Sequence, residues 1–391
     1  MNRLTRLARW AGALSLVAIS LAVGFAGGFT AASVRQHEAL QSTDLLREAL
    51  GLLERNHFNP LPASLQLQRG MIRGLVGALE DPFASYQSPA EDELESQTLQ
   101  GAYGGIGALL QPTEDGFVLI PYEDGPAWRA GVLEGDRLLQ IDNLLLAVDQ
   151  PLAEISAALR GEPGTQVSLR VARGPDRSER TFEIEREVIP LPSVTAYHHT
   201  QVPGIGVLTV TNFSQSTPSE LQRALTALTE DGVVAWILDL RNNPGGLLDS
   251  AIATADLFLE DGQILSERSK EGVITEHRAQ PSEDDWLAPM VVLINGGTAS
   301  AAEVVAGALG DNQRAPLIGE PTYGKGSVQS IYGLSDGSNL HITTARWFTP
   351  AGLALDGDGL VPDVLVATDP ERADAIMAAA VAWLIETGEL P

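Results

Sequence analysis

Two consecutive segments, Met290-Val291-Val292-Leu293-Ile294 and, after Asn295, Gly296-Gly297-Thr298-Ala299-Ser300-Ala301-Ala302-Glu303-Val304-Val305-Ala306-Gly307-Ala308-Leu309, set the architecture of this chain. The first is an unbroken apolar run with the length of a strand covered on both faces. The second opens on paired glycines and continues as a helix rich in small residues. Ser300 therefore falls on a strand-to-helix turn, with its hydroxyl exposed and the Ala301 N–H free. Unpaired N–H groups and the positive end of the helix dipole suit an oxyanion there. A serine at this place is also an ordinary helix N-cap, so its neighbours must separate the two readings.

Upstream, Asp239-Leu240-Arg241-Asn242-Asn243-Pro244-Gly245-Gly246 closes another apolar run with two glycines, where a ligand can approach the backbone closely. Downstream, Gly319-Glu320-Pro321-Thr322-Tyr323-Gly324-Lys325-Gly326-Ser327-Val328-Gln329 places one lysine between two glycines. Lysine is scarce: Lys270 and Lys325 are the only two in 391 residues. A solvated lysine is a poor base at pKa ~10.4, but burial without a carboxylate partner lowers it by about 3 units or more. At about 1.36 kcal/mol per unit, such burial costs the fold roughly 4 kcal/mol, a large share of typical stability. A lysine kept under those conditions, on glycines that let it approach a crowded serine, fits the serine–lysine form of nucleophilic catalysis. Gln329, four residues on, offers a side-chain oxygen to the amine.

Farther outward, apolar runs at Gly206 to Val210, Val233 to Leu240 and Leu317 to Ile318 alternate with helical stretches at Pro218 to Leu228, Leu247 to Phe258 and Ala301 to Leu309, which defines an α/β layer fold over residues 189–391. A last helix, Glu371 to Ile385, carries enough alanine, leucine and isoleucine to pack on this core or on a second copy in a homodimer, and core packing is preferred. Residues 101–188 read as a small β-rich module with strands at Gly116 to Ile120, Arg137 to Ile141, Gln166 to Ala172 and Arg180 to Arg186, and one helix at Leu152 to Leu159. Residues 37–100 read as a helical arm, from the spacing of Leu46, Leu50 and Leu53 and of Met71, Leu75 and Leu79.

Residues 1–36 hold four arginines and no acid, and Trp10 to Val34 is uncharged over 25 residues, longer than the roughly 20 needed to span a bilayer. Arg3, Arg6 and Arg9 would keep its start in the cytoplasm, so this segment reads as a retained membrane anchor, with a cleaved signal as the rival, and either exports the body. The remaining residues carry a net charge of -30, which repels nucleic acid and anionic lipid surfaces. With no cysteine, disulfides, thiolate metal sites and a cysteine nucleophile are excluded. No His-Glu-x-x-His pair, Gly-x-Ser-x-Gly elbow or phosphate loop is present, and adjacent His198 and His199 would face opposite ways on a strand, so no metal or organic cofactor is expected.

Taken in order, Tyr103-Gly104-Gly105-Ile106-Gly107, the Arg-x-Asn-Pro-Gly-Gly turn, Thr-Ala-Ser-Ala-x-Glu and Gly-Lys-Gly-x-Val-Gln resemble the C-terminal processing, or tail-specific, serine peptidases over nearly the whole chain after residue 36. The resemblance implies a ClpP- or crotonase-like ββα protease core with an inserted PDZ domain and a helical arm. It makes Ser300 the nucleophile, Lys325 the general base and Gln329 the residue that orients the lysine. The oxyanion hole would combine the Ala301 N–H with that of Gly245 or Gly246. The PDZ domain would hold a substrate's C-terminal carboxylate on Gly104, Gly105, Ile106 and Gly107 by strand addition, and Arg160 resembles a basic residue that links PDZ position to the active site. Three positions depart from the family pattern. Ala302 stands where many relatives have serine, and Phe83, within Asp81-Pro82-Phe83-Ala84-Ser85-Tyr86, where histidine is often seen. Asn143 replaces a turn glycine, which a left-handed asparagine tolerates. The expected activity is an exported endopeptidase acting on unstructured protein tails. A catalytically inert PDZ adaptor and a small-ester hydrolase are the alternatives.

Overall fold

The computed structural model describes residues 44–148, 150–281, 286–367 and 374–386. The anchor or signal read at Trp10 to Val34 lies outside them, and among the described residues no helix is long and apolar enough to cross a membrane. The chain divides into two compact units, one ending at Ile72 and one beginning at Arg73. In the first, helix α1 (residues 44–56) and the opening turns of α2 (Ser64–Gly77) line a groove with Leu50, Leu61, Leu67 and Met71. Leu79, read as part of the same helical stripe, lies beyond the end of α2 and is exposed.

The second unit begins with strand β1 (Ser85–Gln87) and helix α3 (Pro89–Gln100). The β-rich module follows: β2 (Ala102–Gly105), β3 (Ala108–Thr113), β4 (Gly116–Pro121), α4 (Pro126–Arg129), β5 (Asp136–Ile141), β6 (Leu144–Leu145), α5 (Leu152–Leu159), β7 (Gln166–Arg173), β8 (Ser178–Glu185) and β9 (Glu187–Pro190). Its antiparallel sheet runs β3-β4-β5-β7-β8, while β2 pairs with β9, so the strands that enter and leave the module close its base. The period of two puts Val167, Leu169 and Val171 of β7 into the core, where α5 adds Ile155 and Leu159. Buried Arg186 donates to the Ala158, Leu159 and Gln166 carbonyls and to Thr165 Oγ1, satisfying carbonyls that the end of α5 leaves open. The turn after β5 corrects the expectation for Asn143: Asp142 takes the left-handed conformation, at φ 48°. Its Oδ1 accepts the Ser168 N–H at 2.9 Å, a short-side-chain bond that offsets the strain.

The rest comprises β10 (Val194–His198), β11 (Ile205–Val210), α6 (Thr217–Glu230), β12 (Ala235–Asp239), α7 (Leu248–Asp256), β13 (Gln263–Ser269), β14 (Ile274–Arg278), β15 (Met290–Ile294), α8 (Ala301–Asp311), β16 (Leu317–Gly319), β17 (Ser327–Gly333), β18 (Asn339–Phe348), β19 (Val364–Leu365) and α9 (Ala375–Glu386). Strands β11, β12, β15, β16 and β19 form a parallel sheet in that order, edged by antiparallel β10. Both faces are covered, which is why β15 is apolar throughout and β12 is apolar up to Asp239 at its end. Trp236, Leu238, Val292 and Ile294 face α6, α7 and α8; Ile237, Val291 and Leu293 face Ile376, Ala380 and Leu384 of α9. The final helix thus packs on its own core.

A second sheet, unread in the sequence, joins β17 and β1 to β18 and continues through β13 to β14. Its strands mix half-buried polar and apolar residues without clean alternation, and β1 pairs with β18 from the far end of the chain.

Candidate active site

Strand β15 delivers the chain to Ser300 through a tightly bonded turn. Asn295 Oδ1 accepts the N–H groups of Asn242 and Gly297, Thr298 Oγ1 donates to the Leu240 carbonyl, and the Ala299 N–H donates to the Asn243 carbonyl. These bonds seam the Ser300 turn to the Gly245-Gly246 turn at the end of β12. Ser300 is held at φ 54°, ψ -118°, a conformation unfavourable for a residue with a side chain. Its N–H donates to Glu303 Oε2 at 2.8 Å, within a capping box formed by Ser300 and Glu303. Ser300 thus fills the N-cap position of α8.

Ser300, Ala301, Gly245, Gly246, Lys325 and Gln329 all line one cavity of about 420 Å³. Residues read from three separate motifs are thus brought together. A Cβ at Gly245 would sit 2.9 Å from Ser300 Cβ and 3.1 Å from the Ala301 nitrogen, so a side chain there would fill the space in front of the Ala301 N–H. The Gly245 N–H is already given to Asn243 Oδ1 at 2.9 Å, whereas no hydrogen bond to a described residue engages the N–H groups of Gly246 or Ala301. Leu248, Val304, Val328 and Trp347 make much of the remaining wall apolar.

Lys325 donates to Gln329 Oε1 at 3.1 Å and forms no salt bridge with any described residue. Burial pulls its pKa below the ordinary lysine value, partly opposed by the carboxylates of Glu95 and Asp81. Ser300 Oγ and Lys325 Nζ share the cavity without a direct hydrogen bond. The glycines beside the lysine serve packing as well as reach: Gly324, at φ 87°, lies so close to the backbone of Leu355 and Gly359 that any Cβ would approach within 2.8 Å.

Two residues were given no role in the site by the sequence. Glu303, wholly buried, accepts from Ser300 N (2.8 Å) and Lys325 N (2.9 Å) on Oε2, and from Thr322 Oγ1 (2.5 Å) and Gly324 N (2.8 Å) on Oε1. One carboxylate thereby ties the serine turn to the lysine loop; in the sequence it was visible as the glutamate of Thr-Ala-Ser-Ala-x-Glu, with no role assigned to it. The second is Phe83, whose carbonyl accepts a hydrogen bond from Gln329 Nε2.

In the β-rich module, Gly104 and Gly105 lie in β2, opposite Val188 and Glu187, and the Ile106 and Gly107 carbonyls accept N–H groups from Ala127 (2.8 Å) and Tyr122 (2.9 Å). The next strand, β3, is a sheet edge with α5 packed nearby, the geometry a strand-adding peptide requires. Arg160 lies over the Tyr103 ring (4.8 Å) and donates to Gln97 of α3 at 2.5 Å; Glu95, on the same helix, lines the cavity that holds Ser300 and Lys325.

The α/β core thus carries a serine at a helix mouth and a half-buried lysine on the wall of one cavity, and an antiparallel β-rich module precedes it in the chain. Residues 204–366 match peptidase family S41 and residues 117–173 match the PDZ domain. A carboxy-terminal-processing protease of Bartonella bacilliformis is 36% identical over 319 residues, covering 80% of this chain and 72% of that protein. A probable CtpA-like serine protease of Staphylococcus epidermidis is 35% identical over 311 residues, covering 78% of this chain, which spans 62% of that protein's length. Among solved structures, a photosystem II D1 C-terminal processing protease is 31% identical, covering 83% of this chain and 86% of that one, at a TM-score of 0.47. The chain belongs to peptidase family S41, the carboxy-terminal-processing serine proteases with a PDZ domain.

Proposed function

We propose that this protein is an endopeptidase that captures unstructured C-terminal tails on its PDZ domain and cleaves near them through Ser300 and Lys325. The supporting observation is the convergence, in one cavity, of a serine held in a strained conformation at a helix mouth and a lysine that burial biases toward its neutral form. As Ser300 Oγ attacks the peptide carbonyl carbon, the Lys325 amine takes its proton. The oxyanion receives the Ala301 N–H and the free N–H of the Gly turn, that of Gly246, since Gly245 is engaged with Asn243. Collapse breaks the C–N bond, the Lys325 ammonium returns the proton to the leaving amine, and water then hydrolyses the acyl-enzyme with the amine again as base. Substrate docking closes the gap between serine and lysine, since catalytic hydrogen bonds tighten in the complex. The core is read as ClpP- or crotonase-like. Residues 1–36 are read as exporting the body and tethering it to the membrane, on the charge pattern alone.

Cleavage of a peptide with a free C-terminus, compared with its amidated form, tests the proposal using Ser300→Ala and Lys325→Ala. Loss in both variants, and slower cleavage of the amidated peptide, is expected. Cleavage retained in either variant refutes the pair. Tail binding without turnover makes the protein a PDZ adaptor, and turnover indifferent to amidation makes it an esterase-like hydrolase.

A further inference from the structure

We propose that the loop Asp81–Ala84 is part of the catalytic apparatus, with Phe83 as the positioning residue: its carbonyl fixes the Gln329 amide and its ring forms the dry wall over the Lys325 amine. The inference rests on the serine–lysine reading above and adds a further group to it.

A glutamine amide has a donor end and an acceptor end. Gln329 Nε2 donates to the Phe83 carbonyl, which turns Oε1 the other way, and there Lys325 Nζ donates at 3.1 Å. A neutral amide oxygen places the amine without demanding its charge. A carboxylate at the same point would hold the ammonium. Phe83 thus determines which end of Gln329 the lysine meets.

Strand pairing sets this arrangement. Ser85 of β1 lies opposite His341 of β18, and continuing that register places Phe83 by Thr343, whose partner on the other side is Gln329 of β17. Asp81 Oδ1 accepts the Phe83 N–H at 3.0 Å and Asp81 O accepts the Ala84 N–H at 3.2 Å, so the turn is held from within.

The ring lies 5.1 Å from Lys325 Nζ. Its face attracts the ammonium, whereas its bulk keeps water away, which disfavours it. Desolvation is the strongest influence on Lys325. The other ionisable groups around the lysine are Asp81 on the loop, Glu95 on α3, His341 on β18 and Glu303 on α8, the last bonded to the lysine's main-chain N–H.

The two-lysine sequence supplies a direct test. In the full chain carrying Ser300→Ala, carbamylation by cyanate is followed across neutral and alkaline pH by peptide mass spectrometry, with exposed Lys270 as internal reference. With Phe83 present, Lys325 reaches half-maximal reactivity at lower pH than Lys270. Phe83→Ala moves Lys325 toward Lys270, each unit meaning about a tenfold smaller neutral fraction, while Phe83→Leu, which keeps the apolar wall and removes the π face, leaves it low or lowers it. In the Ser300 enzyme the acid limb of kcat moves with it in Phe83→Ala, with KM little changed. Phe83→Val shifts in the same direction by less and serves if the alanine variant does not fold. Unchanged Lys325 reactivity and an unchanged acid limb in these variants, with Lys325→Ala inactive, overturn the inference alone. An active Lys325→Ala overturns the dyad itself.

Discussion

Glu303→Gln is the sharpest probe of how the Ser300 and Lys325 segments are joined. Four donors converge on this buried carboxylate, and only a group with acceptors on both oxygens satisfies them all. In the amide, the NH₂ end turns best toward Thr322, whose hydroxyl can accept, and the remaining oxygen keeps Ser300 N and Lys325 N. Gly324 N, which faced Oε1 at 2.8 Å, then meets another donor. One charge-assisted bond is lost outright and the others are weakened, at about 1.5 to 3 kcal/mol for each bond to a charged group. The expected loss is about 3 kcal/mol, a substantial fraction of a typical 5 to 15. Because the same oxygen holds the backbone of both Ser300 and Lys325, small displacements should lower kcat on the order of a hundredfold. Urea unfolding followed by tryptophan fluorescence gives the first quantity. Trp347, whose Nε1 donates to the Lys325 carbonyl at 3.1 Å, lies next to the lysine loop. Initial rates on the folded variant give the second. Stability within about 0.5 kcal/mol of the parent, with kcat unchanged, would refute the view that this carboxylate couples the two segments.

Because burial lowers the Lys325 pKa, kcat should rise with pH through the folded-state value and flatten above it. Stability should climb from that value toward the unfolded lysine value, since the unfolded chain binds the extra proton there. Gln329→Glu should move the acid limb of the pH–rate curve to higher pH; a limb that stays in place contradicts the role given to the amide. Gly245→Ala, with its methyl 2.9 Å from Ser300 Cβ and 3.0 Å from the Ala299 carbonyl at φ 108°, should cost about 1 to 3 kcal/mol and remove most turnover; an active, stable variant shows that the oxyanion space lies elsewhere. Arg173→Ala should destabilise the PDZ domain by about 3 kcal/mol, because Asp136, 1% exposed, loses the guanidinium at 2.6 Å. The response to a free peptide C-terminus should then fade before turnover of a short ester does, as a paired assay over increasing temperature would show.

The sequence made the parallel core legible because β12 and β15 are buried on both faces, so that β15 and the Ala235–Leu238 part of β12 are continuous apolar runs. Helix α5 was equally plain, bounded by proline and glycine turns. The sheet of β13, β14, β17 and β18 was not, since half-exposed strands such as β18 carry no period-two signal. The turn residue after β5 was misplaced by one position, because asparagine and aspartate both tolerate the left-handed region and a tertiary bond to Ser168 made the choice.

Ser300, Lys325, Gln329 and the glycine turn could be named from local pattern and family resemblance, since residue type, scarcity and spacing are written along the chain. Their meeting in one cavity, the four donors on Glu303 and the placement of Phe83 over the lysine follow only from pairings between segments as distant as Phe83 and Gln329. Hydrogen bonds and desolvation depend on distance in space, and a linear pattern cannot encode which remote carbonyl or ring will stand beside an amine once strands have paired.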